Sequence, residues 1–381
     1  MKNKYYLPII LVFLLLGSLF LAFRFFDDPA LNIFVGVDAA YDNVEELKQL
    51  IDKISPYTNT VIIGSTGITH NFTKLNDVCQ YLYNKSMYFM IYAHPINDPK
   101  VLNIQRQWVL DAQLKWGKHF LGLYAYDEPA GRQLDNATLK AVDDSNWYAD
   151  NWTDAATKYI TNMNLILKVS IQEHMGGLHL PLFTSDYALY WFDYKAGYDV
   201  VFAEFGWNYS RYINVALCRG AAVAQNKEWG VMITWTYTAP PYLESGEALY
   251  NDLVLAYESG AKYIFVFDTN KDYTHSVLQA KHLDALKRFW HYTKNNPRPN
   301  SLNYNRIAYV LPRDYGYGFR GPADKIWGLW EADDFAIKLS TEVSQLIDSH
   351  KHKVDIIYDD GLNGTYCYSK IIFWNGTILV P

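Results

Sequence analysis

Short apolar segments alternate with segments of helical periodicity along most of the chain. The apolar runs are rich in Val, Ile, Phe and Tyr, which is typical of parallel strands covered on both faces. Eight strands are predicted, at Leu31–Ala39, Asn59–Ser65, Met87–His94, Phe120–Asp127, Leu180–Ser185, Asp199–Phe205, Trp229–Tyr237 and Lys262–Asp268. Helices are predicted between or after them, at Val44–Ile54, Leu75–Tyr83, Ile104–Lys118, Asp154–Glu173, Tyr187–Tyr194, Arg211–Lys227, Glu247–Ser259 and His275–Asn295.

This alternation of strands and helices predicts an α/β protein with a closed (β/α)8 barrel, the TIM-barrel fold, over residues 29–296. Right-handed crossovers between parallel strands leave few other arrangements for such a series. A doubly wound open sheet is the alternative, but no Gly-x-Gly-x-x-Gly motif follows the first strand. The segment 131–152 is longer than a minimal connection, and we expect it to cross the barrel mouth.

A break in the pattern after the last helical segment predicts a second, smaller domain. Two prolines among polar residues stop any helix at 295–300, so residues 297–304 are interpreted as a linker. The small α/β domain predicted at 305–381 contains strand Ile307–Leu311, helix Ala332–Ser349, strand Lys353–Tyr358 and strand Lys370–Trp374. The segment 313–330, rich in glycine and aromatic residues, is expected to lie against the barrel.

The amino-terminal segment predicts a transmembrane anchor at residues 1–28. The run Tyr5–Phe26 is apolar, carries no charge before Arg24, and is long enough to span a bilayer. Two lysines precede it and two aspartates follow it, which predicts a cytoplasmic amino terminus and a main domain outside the cell. A cleaved signal peptide, giving a secreted protein, is the alternative.

Asparagine sequons agree with export from the cytoplasm. Seven Asn-x-Ser/Thr triplets without a central proline occur in the chain, more than we attribute to chance. The candidate glycosylation sites are Asn71, Asn84, Asn136, Asn151, Asn208, Asn363 and Asn375. The three cysteines are too few and too scattered for a disulfide framework. No metal-ligand spacing is present, and we expect neither a metal nor a cofactor.

Composition narrows the class of ligand. The formal net charge is −6, with acidic and basic residues interspersed, which does not indicate a nucleic-acid surface. The 32 Tyr, 12 Trp and 19 Phe residues make up 17% of the chain. Most of these rings are expected to fill the core, although aromatic faces also stack on the apolar faces of sugars. A carbohydrate ligand therefore fits the composition.

The most informative segment is the predicted fourth strand, Phe120–Asp127, which is followed by Glu128 and Pro129. An apolar, aromatic strand cannot hold charges within a sheet, so Asp127 and Glu128 are expected at its carboxyl end. TIM barrels carry their active sites at that end. Pro129 is expected to hold Glu128 in an extended conformation. The alternative is that one of these carboxylates only caps the next helix.

Polar and aromatic residues near the other strand ends complete the predicted site. A group of acids without metal ligands suits cleavage of a glycosidic bond, which needs one protonated acid and one ionised carboxylate. The predicted catalytic residues are Glu128 as general acid, Glu204 as its partner and Asp127 as a group that holds the acids in place. Predicted substrate-binding residues are Asp38, His94, Tyr126, Asp186, Trp207, Trp235, Tyr237 and Asp268. The structural alternative is a buried Glu204 bonded to the backbone or to an arginine such as Arg211.

With its strand ending Tyr124-Ala125-Tyr126-Asp127-Glu128-Pro129, the barrel resembles those of glycoside hydrolases, in which strand 4 carries an acid. The small α/β domain that follows is similar to the flavodoxin-like domain of certain β-galactosidases. The resemblance covers residues 31–381 in architecture. It implies a glycoside hydrolase that acts on a glycan or polysaccharide, and the predicted anchor and sequons make this an extracytoplasmic, membrane-anchored one.

One feature departs from the largest clan of retaining barrel glycosidases, whose nucleophile is a Glu at the end of strand 7. Here that strand ends Thr234-Trp235-Thr236-Tyr237, and Glu244 in the next loop is one possible replacement. Another group of barrel glycosidases places its acids on strands 4 and 6, which by position matches Glu128 and Glu204. Retention or inversion stays open. So does the alternative of a non-catalytic barrel that binds glycans or is a structural cell-surface glycoprotein.

Overall fold

The computed structural model describes residues 33–93, 99–135, 142, 148–168, 180–298, 305–360 and 368–381, with the backbone alone for 99–106. The predicted anchor at 1–28 lies outside these ranges. Among the helices within them, none is long and apolar enough to cross a membrane. Most of the predicted linker, at 299–304, also lies outside them. The domain boundaries drawn from the sequence therefore stay a prediction.

Eight parallel strands form the closed barrel that the sequence predicts. They are β1 Phe34–Ala39, β2 Thr60–Ile63, β3 Tyr88–Ala93, β4 Phe120–Ala125, β5 Leu182–Asp186, β6 Val200–Phe205, β7 Glu228–Ile233 and β8 Tyr263–Asp268. Each strand pairs with the next along the chain, and β8 pairs with β1, which closes the ring. Large side chains such as Met90, Phe183 and Phe202 fill its interior, so the barrel is a packed core rather than a pore.

Helices cover the outside of the barrel. They are α1 Val44–Ile54, α2 Thr66–Thr69, α3 Phe72–Asn84, α4 Pro99–Trp116, α5 Pro129–Leu134, α6 Trp152–Leu167, α7 Tyr190–Ala196, α8 Arg211–Ala224, α9 Gly246–Glu258 and α10 Ala280–Asn295. Side chains of Asn43, Ser210 and Ser245 accept backbone N–H groups at the starts of α1, α8 and α9. The sequence analysis missed α2 and α5, because helices this short show no apolar periodicity.

A second α/β unit follows the barrel. Its elements are β9 Arg306–Leu311, α11 Asp334–His350, β10 Val354–Tyr358, β11 Tyr368–Phe373 and β12 Ile378–Leu379. The strand order is β10-β9-β11-β12, and only β12 is antiparallel to its neighbour among these described strands. The sequence analysis missed β12, since a run of two residues is too short to show a strand pattern.

The second unit packs closely against α8 of the barrel. A Cβ atom added to Gly220 would lie 2.3 Å from the carbonyl oxygen of Ile356 in β10, so only glycine permits this approach. Next to it, the buried Arg219 places its Nε 2.6 Å from Asp355 Oδ1. Arg306 Nη1 lies 2.9 Å from the other oxygen of the same carboxylate. A buried ion cluster therefore joins the two units.

The segment 313–330 lies against the barrel, as the sequence analysis expected. Gln133 Nε2 in α5 donates to the carbonyl oxygen of Trp327 over 3.0 Å, and the Trp327 side chain is fully buried. Arg320 Nη1 lies 2.6 Å from Asp135 Oδ1, just beyond α5. These contacts brace the short helix that follows the two acids after β4.

Candidate active site

The two acids lie in a tight turn between β4 and α5. Tyr126 and Glu128 have φ angles of 63° and 53°, in the left-handed region that favours glycine. The extended conformation expected for Glu128 is therefore wrong. Pro129 disfavours the right-handed helical conformation for Glu128. The left-handed conformation that Glu128 adopts turns the chain from β4 into α5. The Glu128 N–H donates to the carbonyl oxygen of Ser185 over 3.1 Å. Such residues cost about 1–3 kcal/mol each and cluster at functional sites.

Asp186 organises this turn. Its side chain is fully buried and accepts the backbone N–H groups of Ala130 at 2.7 Å and Gly131 at 2.8 Å, at the start of α5. The Tyr187 N–H donates to the same carboxylate at 2.7 Å. Burial raises the pKa of Asp186 to about 7, although these donors lower it. Both oxygens of Asp186 are buried and hydrogen-bonded to the backbone, which indicates a structural role, and contact with substrate stays a prediction.

Asp268 has a similar structural role at the end of β8. It is fully buried, and its Oδ1 accepts the N–H groups of Val277 at 2.7 Å and Leu278 at 3.2 Å. These bonds hold 276–278 as a loop, so α10 begins at Ala280 rather than at the predicted His275. Burial raises the pKa of Asp268 to about 6. These bonds give Oδ1 a structural role, whereas Oδ2 has no hydrogen-bond partner among the described residues, and contact of Asp268 with substrate stays a prediction.

Glu128 and Glu204 meet at the carboxyl end of the barrel. Glu204, next to the last residue of β6, is only 4% exposed, and its Oε1 lies 2.6 Å from the Ser185 hydroxyl. Glu128 is half-buried, and its carboxyl group lies close enough to that of Glu204 for the two groups to shift each other's pKa. The pair proposed from the sequence is thus brought together.

Arg211 does not neutralise Glu204, as one form of the structural alternative required. Its Nη2 lies 2.8 Å from Glu244 Oε1, and its Nε lies 3.1 Å from Asp252 Oδ2. The same guanidinium group donates to the carbonyl oxygen of Gly206 over 2.8 Å. Glu244 is held in this ion pair, which makes it a poor replacement for the missing acid of strand 7.

The surroundings of the two glutamates favour their protonated forms. Burial raises the pKa of Glu128 to about 8, and the charges of Asp127 and Asp186 add to the shift. Burial and the charge of Glu128 raise the pKa of Glu204 well above its usual range. A hydrogen bond from Ser185 opposes this and favours the ionised form of Glu204. Because two neighbouring carboxylates repel, the pair can act as one acid and one carboxylate.

Two hydroxyl groups that the sequence analysis did not single out link Asp127 to Glu204. The Tyr124 hydroxyl lies 2.6 Å from Asp127 Oδ1 and 2.7 Å from the Ser185 hydroxyl. Ser185 Oγ in turn lies 2.6 Å from Glu204 Oε1. In the sequence, Tyr124 comes three residues before Asp127, and Ser185 comes directly before Asp186. That cue is weak, because Tyr and Ser are ordinary residues of buried strands.

A cavity of about 420 Å³ opens at the mouth of the barrel. Its wall includes Asp38, Tyr92, Tyr124, Asp127, Arg132 and Tyr273. Asp38 is 4% exposed, and its Oδ1 finds no hydrogen-bond partner among the described residues. Arg132 Nη2 lies 3.8 Å from Asp127 Oδ2. Neither Glu128 nor Glu204 lines this cavity, but Tyr124 and Asp127 do, and Ser185 links them to Glu204.

The remaining predicted substrate-binding residues lie mostly in loops around the barrel mouth. β7 ends before Trp235 and Tyr237, so both belong to the loop that follows, not to the strand as predicted. Trp235 Nε1 donates to the carbonyl oxygen of Thr269 over 3.0 Å, and Tyr237 is 50% exposed. The Trp207 N–H donates to the Trp235 carbonyl oxygen over 2.9 Å. His94 lies outside the described residues. Contact of these side chains with substrate stays a prediction.

The chain matches no protein-family model, and no curated protein matches it in sequence. Two solved structures share its fold. The β-galactosidase from the psychrophilic Marinomonas ef1 has 11% identity and a TM-score of 0.54, over 90% of this chain and 72% of that chain. The β-galactosidase from the Antarctic haloarchaeon Halorubrum lacusprofundi has 9% identity and a TM-score of 0.60, over 90% of this chain and 69% of that chain.

The fold is a (β/α)8 barrel followed by a small α/β unit, as in these two structures. Coverage of 90% exceeds the share of the chain that the barrel strands and helices occupy, so the similarity also includes the small α/β unit. The expected resemblance in architecture is thereby confirmed. At 9–11% identity the similarity shows the fold alone.

Proposed function

We propose that the protein is a glycoside hydrolase that cleaves a glycan or polysaccharide with a pair of carboxyl groups. One observation carries the proposal: Glu128 and Glu204 lie together at the carboxyl end of the barrel strands, one half-buried and one buried. Glycosidic bond cleavage needs a protonated carboxyl beside an ionised one, and the proximity of the two groups favours that state. The cavity at the barrel mouth, lined by acids and tyrosines, offers space for a sugar.

The mutual influence of the two carboxyl groups favours a retaining over an inverting mechanism. Inverting enzymes leave room between their carboxyl groups for a water molecule, at about 6.5–9.5 Å, whereas retaining enzymes have about 5–5.5 Å. In the proposed reaction Glu128 protonates the glycosidic oxygen while the Glu204 carboxylate attacks the anomeric carbon and the bond to the leaving sugar breaks. Glu128 then deprotonates a water molecule, whose oxygen displaces Glu204 from the sugar and restores both groups.

The proposed chemistry is tested with the full-length chain and a panel of glycans that differ in sugar and linkage. We expect at least one glycan to be cleaved and its product to be released first with the anomeric configuration of the substrate, as observed by proton NMR. Release of the opposite anomer would refute the role of Glu204 as nucleophile. A wild-type protein that cleaves none of the panel, yet binds a glycan, would favour the alternative.

That alternative is a non-catalytic barrel that binds glycans. The low exposure of Glu204, 4%, favours it, because a sugar has to reach the buried carboxylate before the nucleophile can act. This second function would be supported if the wild type and a Glu204→Gln variant bind a glycan equally well and neither protein cleaves it.

We further propose that the protein is membrane-anchored through residues 1–28, with its main domain outside the cell, or is secreted if the anchor is cleaved. The charge asymmetry around the apolar run supports this orientation. The acceptors Asn71, Asn84, Asn151, Asn208 and Asn375 are exposed, which is compatible with glycosylation, while Asn136 and Asn363 lie outside the described residues.

We expect the native protein to remain with the membrane in alkaline carbonate and to lose mass on enzymatic removal of N-linked glycans. Mass spectrometry of its peptides should then report deamidated asparagine at several sequons. Exposed asparagines outside sequons, such as Asn226, serve as the internal control and should stay unmodified. Unmodified sequon peptides throughout would contradict the proposed location of the main domain.

A further inference from the structure

The chain of hydrogen bonds between Asp127 and Glu204 has more contacts than the hydroxyl groups in it have protons to donate. Three contacts run from Asp127 through two hydroxyl groups to Glu204, at 2.6, 2.7 and 2.6 Å. Each contact needs one proton, and the hydroxyl groups of Tyr124 and Ser185 supply two. The third proton must therefore come from a carboxyl group at one end of the chain.

This chain of contacts has two proton arrangements. When Glu204 holds the extra proton, every group donates toward Asp127, and when Asp127 holds it, every group donates toward Glu204. The first arrangement becomes the second when Glu204 gives its proton to Ser185, Ser185 gives its own to Tyr124, and Tyr124 gives its own to Asp127. Each O–H bond that breaks is replaced by a new one. The hydroxyls end unchanged, and one negative charge has moved from Asp127 to Glu204.

The two ends of the chain differ in their access to solvent. Glu204 is 4% exposed. The side chain of Asp127 is 38% exposed and lies on the cavity wall, with Arg132 Nη2 3.8 Å from its carboxylate. Asp127 is thus reached by water and lies beside the guanidinium group of Arg132. Glu204 has little direct access to water, so it depends on neighbouring groups to gain or lose a proton.

We propose that Asp127, Tyr124 and Ser185 form a proton relay that ionises the buried Glu204 for nucleophilic attack. This inference rests on the proposed function, in which Glu204 must become a carboxylate while Glu128 keeps its proton. The relay removes the proton from Glu204 without drawing on the proton that Glu128 has to deliver. Tyr124 and Ser185 act as positioning residues in this step, because they conduct the proton and form no bond to the reacting carbon, although Tyr124 also lines the cavity.

The relay is tested with Tyr124→Phe, Ser185→Ala, Asp127→Asn and the double variant Tyr124→Phe/Ser185→Ala, all in the full-length chain. The measurement is kcat/KM on a glycan that the wild type cleaves. Each single change is expected to lower kcat/KM about 100-fold, the scale of a positioned proton transfer. The double variant should be no worse than either single one, because a serial relay is interrupted only once. Ser185→Thr keeps a hydroxyl group and should retain most of the activity.

A matched control is Tyr159→Phe, which removes a buried Tyr–Asp hydrogen bond of 2.7 Å to Asp193, outside the relay. Its folded form should keep kcat/KM within about twofold of the wild type. Losses that add in the double variant, or a Ser185→Thr protein as impaired as Ser185→Ala, would overturn the relay and leave the proposed function standing. A wild type that cleaves no glycan refutes the proposed function, and the relay with it.

Discussion

Glu128→Gln is expected to lower kcat about 1000-fold for a glycan with an ordinary sugar leaving group, a typical contribution of general acid catalysis. The amide is nearly isosteric with the carboxyl group, so the fold should be kept. The departure of a dinitrophenyl group needs no protonation. In Glu128→Gln, the attack of Glu204 on a glycoside with this leaving group should therefore be slowed far less than the attack on the ordinary glycan. Glu204→Gln should abolish the reaction of both substrates, since it removes the nucleophile.

The pH profile supplies a second measurement of the role of Glu128. Burial raises the pKa of Glu128 to about 8. The protonated group is the acid, so kcat/KM of the wild type on an ordinary glycan should fall as the pH rises through about 8. The Gln variant should lose this limb. Glu45→Gln, at a side chain that is 79% exposed, is the matched control and should behave as the wild type. An unchanged kcat in Glu128→Gln would remove Glu128 from the mechanism.

Arg219→Ala is expected to lower the free energy of unfolding by about 3–5 kcal/mol, the cost of removing one partner from a buried ion pair. Arg219 Nε lies 2.6 Å from the fully buried Asp355, and its Nη atoms donate to the carbonyl oxygens of Ser259 at 3.1 Å and His352 at 2.6 Å. Without it Asp355 keeps only Arg306, in the interface between the barrel and the second unit. Urea unfolding followed by tryptophan fluorescence measures the change.

Arg288→Ala is the matched control for this prediction. Arg288 forms an ion pair with Glu247 at 2.8 Å, but the two side chains are 44% and 65% exposed. Water screens such a surface pair, so its loss should lower the free energy of unfolding far less than the loss of Arg219. Equal effects of the two substitutions would mean that the buried cluster adds nothing to the cohesion of the two units.

The barrel could be predicted from local pattern because each of its strands is covered on both faces. Such strands must be continuous apolar runs, and β4 and β6 were found by that property alone. The placement of Asp127 and Glu128 followed from the cost of a charge inside a sheet. The extended conformation expected for Glu128 failed, because the local preference before proline left two backbone regions open and tertiary contacts chose between them.

The roles of the strand-end acids could not be told apart in the same way. Asp186 and Asp127 have the same side chain and stand at adjacent strand ends, yet one binds the backbone of a turn and the other faces a cavity. The difference depends on which N–H groups the next loop brings near. That arrangement is a property of the packed loops and leaves no periodic trace in the sequence.

The amino-acid sequence by itself determined the eightfold alternation, the end of the barrel at which the acids gather and the identity of the glutamate pair. These features depend on the apolar or charged character of consecutive residues. Only the tertiary structure decided that Tyr124 and Ser185, 61 positions apart, join Asp127 to Glu204, and that Arg211 serves other acids. Closing the ring sets distances between strands, and hydrogen bonds and burial depend on those distances.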